Sequence, residues 1–295
     1  MIIIKLKGGL GNQMFQYAVS KIITQKNNTN LLIDNSFFDG EVKNTGPTPR
    51  NFELAIFNES FKKTSKTDID YFFKLSFINK FKKKLGFNYP KIYSENSFKH
   101  NDSVYLIKNP AYLTGYFQSF KYFLGHENFI KNLYSFPFSK LNDDNFKLLE
   151  RIKNSESVSI HIRRGDYVSD NLTQKFHGNC SLSYYMDAIS LIGSKVYISQ
   201  LVFFSDDIEW VREQFKELCN PKLFVADNSG DNSWKDMLLM SSCKHNIIAN
   251  SSFSWWGAWL NKNPNKIVIA PKKWFTDPSQ NEDTCDLIPS EWIRI

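Results

Sequence analysis

The run Ile2-Ile-Ile-Lys-Leu6, followed by the glycines of Gly8-Gly-Leu-Gly11, decides how this chain is read. Three consecutive isoleucines with no polar alternation mark a strand buried on both faces. The glycines then form a loop. From Asn12 to Gln25, Phe15, Ala18, Val19, Ile22 and Ile23 recur at helical spacing, and Leu31-Leu-Ile-Asp34 reads as a second strand. Strand, glycine loop, helix and strand in this order open a doubly wound α/β layer.

The same alternation returns further along. Strands are expected at Ser157–Ile162, Leu201–Phe204, Lys222–Ala226, His245–Ala249 and Lys266–Ala270. Helices fall between them at Ser181–Ile192, Ile208–Leu218, Ser233–Ser242 and Ser252–Leu260. Repeated βα units imply a second parallel sheet. Pro137 and the polar run Ser139–Asp144 mark a boundary, giving domains 1–140 and 141–295. The expected fold class is α/β, with two Rossmann-like parallel-sheet domains facing a cleft. Residues 35–109 are rich in Lys, Phe and Asn and show one clear signal, the turn Gly46-Pro47-Thr48-Pro49. Tyr112–Phe120 reads as a strand leading to a helix start near Ser119.

Composition narrows the function classes. The 295 residues are 42% hydrophobic and 23% charged, which fits a soluble globular chain. No apolar run is long enough to span a bilayer. Met1–Lys7 is too short for the apolar core of a signal peptide. Cys180, Cys219, Cys243 and Cys285 form no C-x-x-C pair, which argues against a zinc ribbon and fits a reducing cytoplasm. The net charge of +7 favours an anionic partner. Much of it lies between Phe61 and Gly86, where Lys62, Lys63, Lys66, Lys80, Lys82, Lys83 and Lys84 interleave with Phe77, Ile78, Phe81 and Leu85. That pattern is either a solvated helix face or a peripheral contact with an anionic membrane. It matches no nucleic-acid module, so no nucleic-acid partner is expected.

Four motifs sit at the carboxyl ends of expected strands, where ligands of α/β sheets bind. The first is Gly8–Ala18. Gly9 and Gly11 let the backbone approach an anion at a helix start, and Asn12 and Gln13 add polar groups suited to a phosphate or sugar. A dinucleotide fingerprint would need glycine where Met14 stands, although Asp34 lies at about the right distance for a ribose contact. The second is His161-Ile-Arg-Arg-Gly-Asp-Tyr167. Guanidinium groups bind phosphate oxygens bidentately, so Arg163 is the candidate to neutralise a departing diphosphate, with Arg164 beside it. An internal Arg–carboxylate pair is the bland alternative. The third, Phe203-Phe-Ser-Asp-Asp207, reads as a helix cap in preference to a metal site. Asp68-Ile-Asp70 has no preceding strand and is set aside as a metal motif. The fourth runs from Ser233 to Trp259. Asn250, Ser251, Ser252, Phe253 and Ser254 begin a helix and offer uncharged anion contacts. Asp236 could accept from a guanine, or merely favour its own helix dipole. Trp255 reads as core or as a wall of the cleft.

Together these runs, with the Pro271-Lys-Lys-Trp274 tail, resemble glycosyltransferase family 11, the α-1,2-fucosyltransferases. The resemblance spans nearly the whole chain, with 35–109 the least recognisable part. It implies a GT-B-like fold and inverting transfer of L-fucose from GDP-β-L-fucose to the 2-hydroxyl of a terminal β-galactose, with no metal. It implies His161 and Asp236 at the nucleoside, Arg163 at the β-phosphate and Ser251–Ser254 at the diphosphate. The acceptor glycan, lipid-linked in some settings, would meet Gln13, Tyr167 and Trp255. The proton acceptor would be Asp166 first, with His177 and Asp170 behind it, unless a dissociative path needs only a weak base or none. Two other readings use the same residues: an NAD-linked oxidoreductase built on the glycine loop, and a non-catalytic glycan-binding protein.

Overall fold

The computed structural model describes residues 1–39, 50–57, 60–74, 77–85, 87, 89–164 and 178–295. Gly46–Pro49, Asp166, Tyr167, Asp170 and His177 lie outside the described residues. The chain divides into two compact units. One is Met1–Ser135 with Cys285–Leu287, the other Phe136–Thr284 with Ile288–Ile295.

In the first unit, β1 (Ile2–Lys5), α1 (Leu10–Lys26), β2 (Leu31–Asp34), β3 (Lys91–Ser94) and β4 (Ala111–Thr114) build a parallel sheet of order β2-β1-β4-β3. β1 is central, so Ile2, Ile3 and Ile4 are fully buried, as an unbroken apolar run requires. The helix begins two residues earlier than its apolar spacing suggests, with extended Gly9 as N-cap. Gly8 sits at φ +78°, and a Cβ there would fall 2.4 Å from Asn12 Nδ2. Backbone and space both demand glycine. Gln16 accepts from the Lys7 amide at 3.0 Å and donates to the Lys7 carbonyl at 3.1 Å. It thereby satisfies the backbone where the strand turns into the helix. Between the strands, α2 (Lys66–Phe73) opens with a capping box of Ser65 and Asp68, and α3 (Phe77–Lys84) follows; α4 (Glu127–Leu133) comes after β4. β3 is absent from the sequence reading because it is an edge strand. Lys91, Ile92 and Ser94 are exposed and leave no apolar run to detect.

In the second unit, β5 (Ser157–Ile162), β6 (Gln200–Ser205), β7 (Lys222–Val225), β8 (His245–Ile247), β9 (Val268–Ala270) and β10 (Ile293–Arg294) form a parallel sheet of order β10-β9-β8-β5-β6-β7. Counted within the unit from β7, this is the strand order 3-2-1-4-5-6 of a doubly wound dinucleotide fold. Strand periodicity sorts the core. Val158, Ile160, Ile162, Leu201 and Phe203 pack with α6 (Leu182–Gly193), while Val202, Phe204 and Val225 pack with α5 (Asp143–Lys153) and α8 (Trp234–Ser242). A buried amide network fastens α8 to α9 (Ser252–Leu260). Asn246 donates to Ser159 Oγ at 2.7 Å and to the Met240 carbonyl at 2.8 Å, and Asn261 donates to Asn246 Oδ1 at 2.7 Å. Gly257 permits the close approach, since a Cβ there would lie 2.9 Å from Met240 Cβ.

Candidate functional site

The order of the second sheet reverses between β5 and β8. A ligand crevice is expected outside the carboxyl ends of those two strands. The chain leaves β5 through Arg163 and Arg164, and leaves β8 through Asn250–Ser251 into α9. Two motifs far apart in sequence therefore flank one reversal point. Their side chains meet: the His161 ring lies 5.9 Å from that of Phe253, tilted by 44°.

Both arginines hold carboxylates. Ile162 pairs with Ser205, so the turn after β6 delivers its aspartates to the end of β5. Arg163 Nη1 is 2.7 Å from Asp206 Oδ2, and Asp206 Oδ1 accepts from the Arg164 amide at 2.8 Å. Arg164 Nε donates to Asp207 Oδ2 at 3.1 Å, and its guanidinium lies 3.8 Å from the centre of the Trp210 ring. Asp207 also caps α7 (Ile208–Gln214) by accepting from the Trp210 amide at 3.3 Å. The cap reading of the acidic pair thus holds for Asp207. Sequence reasoning missed Asp206 as the group that orients Arg163. A guanidinium fixed by a carboxylate on one edge is aimed before any ligand arrives.

His161 is buried, and its Nδ1 has no hydrogen-bond partner among the described residues. Burial, aided by the Arg163 charge, pulls its pKa down to about 4. It is therefore neutral at neutral pH. Asp236, in the first turn of α8, accepts from Asn228 Nδ2 at 2.7 Å. Burial pushes its pKa up to about 7. Folded Asp236 holds its proton to higher pH than the unfolded chain. Its contribution to stability is full below about pH 4 and is lost as pH rises through about 7. His161 has the opposite sign, contributing above its unfolded pKa of 6.5 and losing that as pH falls toward 4. Asp236→Asn should therefore remove a loss of stability between pH 5 and pH 8. Denaturant melts of both proteins at the two pH values read this, and a pH-independent difference between them would refute the buried titration.

Several candidates are corrected by their surroundings. Trp255 is fully buried, stacked on Trp259 at 6.1 Å and set edge-on to Trp256 at 5.1 Å, so it is core and not an acceptor contact. Gln13 is fully buried. It donates to the Gly8 and Asn51 carbonyls at 2.9 and 2.8 Å and accepts from the Glu53 amide at 3.0 Å. Its polar groups hold loops together and leave nothing for a sugar. Asn250 is buried and donates to the carbonyls of Gly178 and Trp274 at 3.2 and 3.1 Å. Ser254 is buried and donates to the Ser251 carbonyl at 3.3 Å. Ser251, Ser252 and Phe253 remain partly accessible at the helix start, with Ser251 accepting from the Phe253 amide.

In the first unit, Gly9 and Asn12 are half-buried beside the β1–α1 turn, and Gly11 is buried within α1. Asn12 Oδ1 accepts from Gln118 Nε2 at 2.6 Å, across the reversal between β1 and β4. Asp34 is buried, accepting from the Tyr112 hydroxyl and from the Ser36 amide. It is thus not free to hold a ribose, which removes the residue a dinucleotide reading needs. A cavity of about 370 Å³ opens beside Asn28–Leu31, along the edge strand β2. Its lining includes Lys21, Gln25, Asn28, Asn30 and Lys62, and apart from Tyr17 none of its lining residues belongs to the four motifs. Asp70 pairs with Lys74 at 2.9 Å and Asp68 with Ser65, both on the outside of α2. Among the described residues, no three His, Cys, Asp or Glu side chains converge as a metal site would require.

A doubly wound sheet with arginines and a helix start at its reversal point places the chain among the doubly wound α/β proteins, with groups there that suit an anion. Residues 1–295 match glycosyl transferase family 11, and the chain belongs to that family. It is 38% identical over 302 residues to an α-1,2-colitosyltransferase of Escherichia coli, covering 100% of this chain and 99% of the relative. It is 35% identical over 313 residues to the O-antigen biosynthesis glycosyltransferase WbnK of Escherichia coli, covering 98% and 99%. Galactoside α-(1,2)-fucosyltransferase 1 of Leontocebus fuscicollis is 30% identical over 104 residues, 35% of this chain and 28% of that one. Among solved structures, POFUT1 in complex with GDP aligns over 91% of this chain and 97% of its own, with a TM-score of 0.51 at 10% identity. At that identity the likeness concerns the fold, two parallel α/β sheets of GT-B type.

Proposed function

We propose that this glycosyltransferase moves a 6-deoxy-L-hexose from its GDP ester to the 2-hydroxyl of a terminal β-galactoside, with inversion. The names of its relatives support two such sugars, fucose and colitose, which is fucose without its 3-hydroxyl. The observation that carries the proposal is that Arg163, paired with Asp206, and the start of α9 flank one reversal point of the second sheet, where the His161 and Phe253 rings lie 5.9 Å apart. The departing pyrophosphate gains charge as the glycosidic bond breaks. Arg163, aimed by Asp206, meets that charge on the β-phosphate, and the amino end of α9 at Ser251–Phe253 adds its dipole. His161 and Asp236 contact the nucleoside. A carboxylate at Asp236 matches the paired N–H groups of guanine, so donor binding itself draws off the Asp236 proton. Fixed guanidinium and dipoles replace a metal in this scheme. Asp166 takes the acceptor proton, with His177 as its alternative. The acceptor is a surface glycan or its lipid-linked precursor, met on the cytoplasmic side where nucleotide sugars are made.

The test is release of GDP from GDP-fucose and from GDP-colitose with lactose as acceptor, with and without EDTA. Turnover of one donor, unaffected by chelation, is the expected result. Activity lost on chelation and restored by manganese would overturn the metal-free scheme. Thermal stabilisation by NAD and not by GDP would overturn the transferase itself.

A further inference from the structure

The segment from Phe61 to Phe87 holds eight lysines against two acids, Asp68 and Asp70, and so carries six of the chain's seven net positive charges. The same segment displays large apolar side chains to solvent. Phe73, Phe81, Leu85 and Phe87 are 55%, 55%, 53% and 63% exposed. Each of the two helices has a buried side as well. Phe72 of α2 packs 6.0 Å from the Tyr112 ring of the sheet, and Asn79 of α3 is buried. Phe73 also meets the Tyr112 ring edge-on at 5.0 Å, whereas Phe81, Leu85 and Phe87, more than half exposed, are surplus to the core of this unit. Lys82, Lys83 and Lys84 are exposed between Phe81 and Leu85.

Isolated apolar residues on a surface need no explanation, but several within one short, strongly basic segment do. Phenylalanines and a leucine that are exposed beside lysines suit an interface that is apolar below and anionic above. There the rings enter the acyl boundary while the lysine stems lie along it and their ammonium groups meet lipid phosphates. Nucleic acid would satisfy the charge and leave the apolar side chains in water. A second copy of this chain would bring its own lysines against these.

We propose that the α2–α3 segment is a peripheral docking surface for an anionic phospholipid bilayer, with Phe81, Leu85 and Phe87 inserted and Lys82–Lys84 on the headgroups. The proposal is independent of the donor and acceptor assigned above. Each lysine near an anionic leaflet adds roughly fivefold to the partition constant. The interaction weakens as salt shortens the Debye length, which is about 10 Å at 0.1 M.

The experiment is co-sedimentation with phosphatidylcholine vesicles, with or without phosphatidylglycerol, at low and high salt. The wild-type chain should pellet with the anionic vesicles alone and be released by salt. Lys82→Glu with Lys83→Glu and Lys84→Glu should lower partitioning about 100-fold or more. Phe81→Ser with Leu85→Ser should lower it with the charge intact, and both variants should keep the wild-type melting temperature. Wild type left in the supernatant with anionic vesicles would overturn the proposal, as would serine variants that pellet unchanged. So would a wild-type dimer that the serine variants dissolve while no vesicle binds, or retention of a DNA duplex in place of vesicles.

Discussion

Arg163→Ala is expected to lower turnover by about 10²–10³-fold, the effect of removing one preorganised contact to developing negative charge, roughly 2.7–4 kcal/mol. Affinity for the intact nucleotide sugar should fall far less, because the charge on the β-phosphate oxygen grows only as the sugar departs. Arg163→Lys should recover little. An ammonium is a point charge, and it cannot keep one edge on Asp206 and present the other to phosphate. Asp206→Asn sharpens the test. It retains an acceptor for the Arg164 amide and loses the charge that aims Arg163. It should reduce kcat while leaving KM for the donor near its wild-type value. Steady-state kinetics on the three variants reads all of this. Near-wild-type turnover in the alanine variant would mean that the Arg163–Asp206 pair is structural only.

Trp255→Ala is expected to cost about 3–5 kcal/mol of stability, the range for deleting a large aromatic from a packed interior. Trp255 is fully buried against Trp256, Trp259 and Trp292, the last at 5.5 Å. The indole also lies in the helix whose start is assigned to the diphosphate, so loosening it reaches the site only through unfolding. Denaturant melts should show the loss. Acceptor KM measured well below the transition should be unchanged. A variant that melts like wild type but binds acceptor more weakly would return Trp255 to the acceptor site.

The fold was most legible where strands are central. Ile2–Ile4 and the runs at Val158 and Leu201 are buried on both faces, so apolar residues follow one another without alternation and declare themselves. β3 and β10 lie at sheet edges and are short, and nothing in Lys91–Ser94 or Ile293–Arg294 separates them from loop. Of the site, the arginines and the start of α9 could be named because each leaves a recognisable strand. Asp206 could not be matched to Arg163, since that pairing depends on β5 lying beside β6 in register, a long-range fact absent from local pattern. Gln13 misled for a different reason. A polar side chain near a glycine turn suggests a ligand, yet Gln13 lies within a helix that is buried nearly all round, as Gln16 and Ser20 also do. Their amides and hydroxyl answer backbone groups, which a purely apolar face could not do.

The short excursion of Cys285–Leu287 out of the second unit bears on how the protein can be taken apart. Asp286 accepts from the His100 amide at 3.0 Å and pairs with Lys121 at 2.5 Å, both groups of the first unit, before the chain returns to supply β10. A cleavage or gene fusion point at Ser135 would therefore yield an amino-terminal fragment deprived of a carboxylate it uses. A short deletion from the carboxyl terminus that reached Asp286 would injure both halves at once.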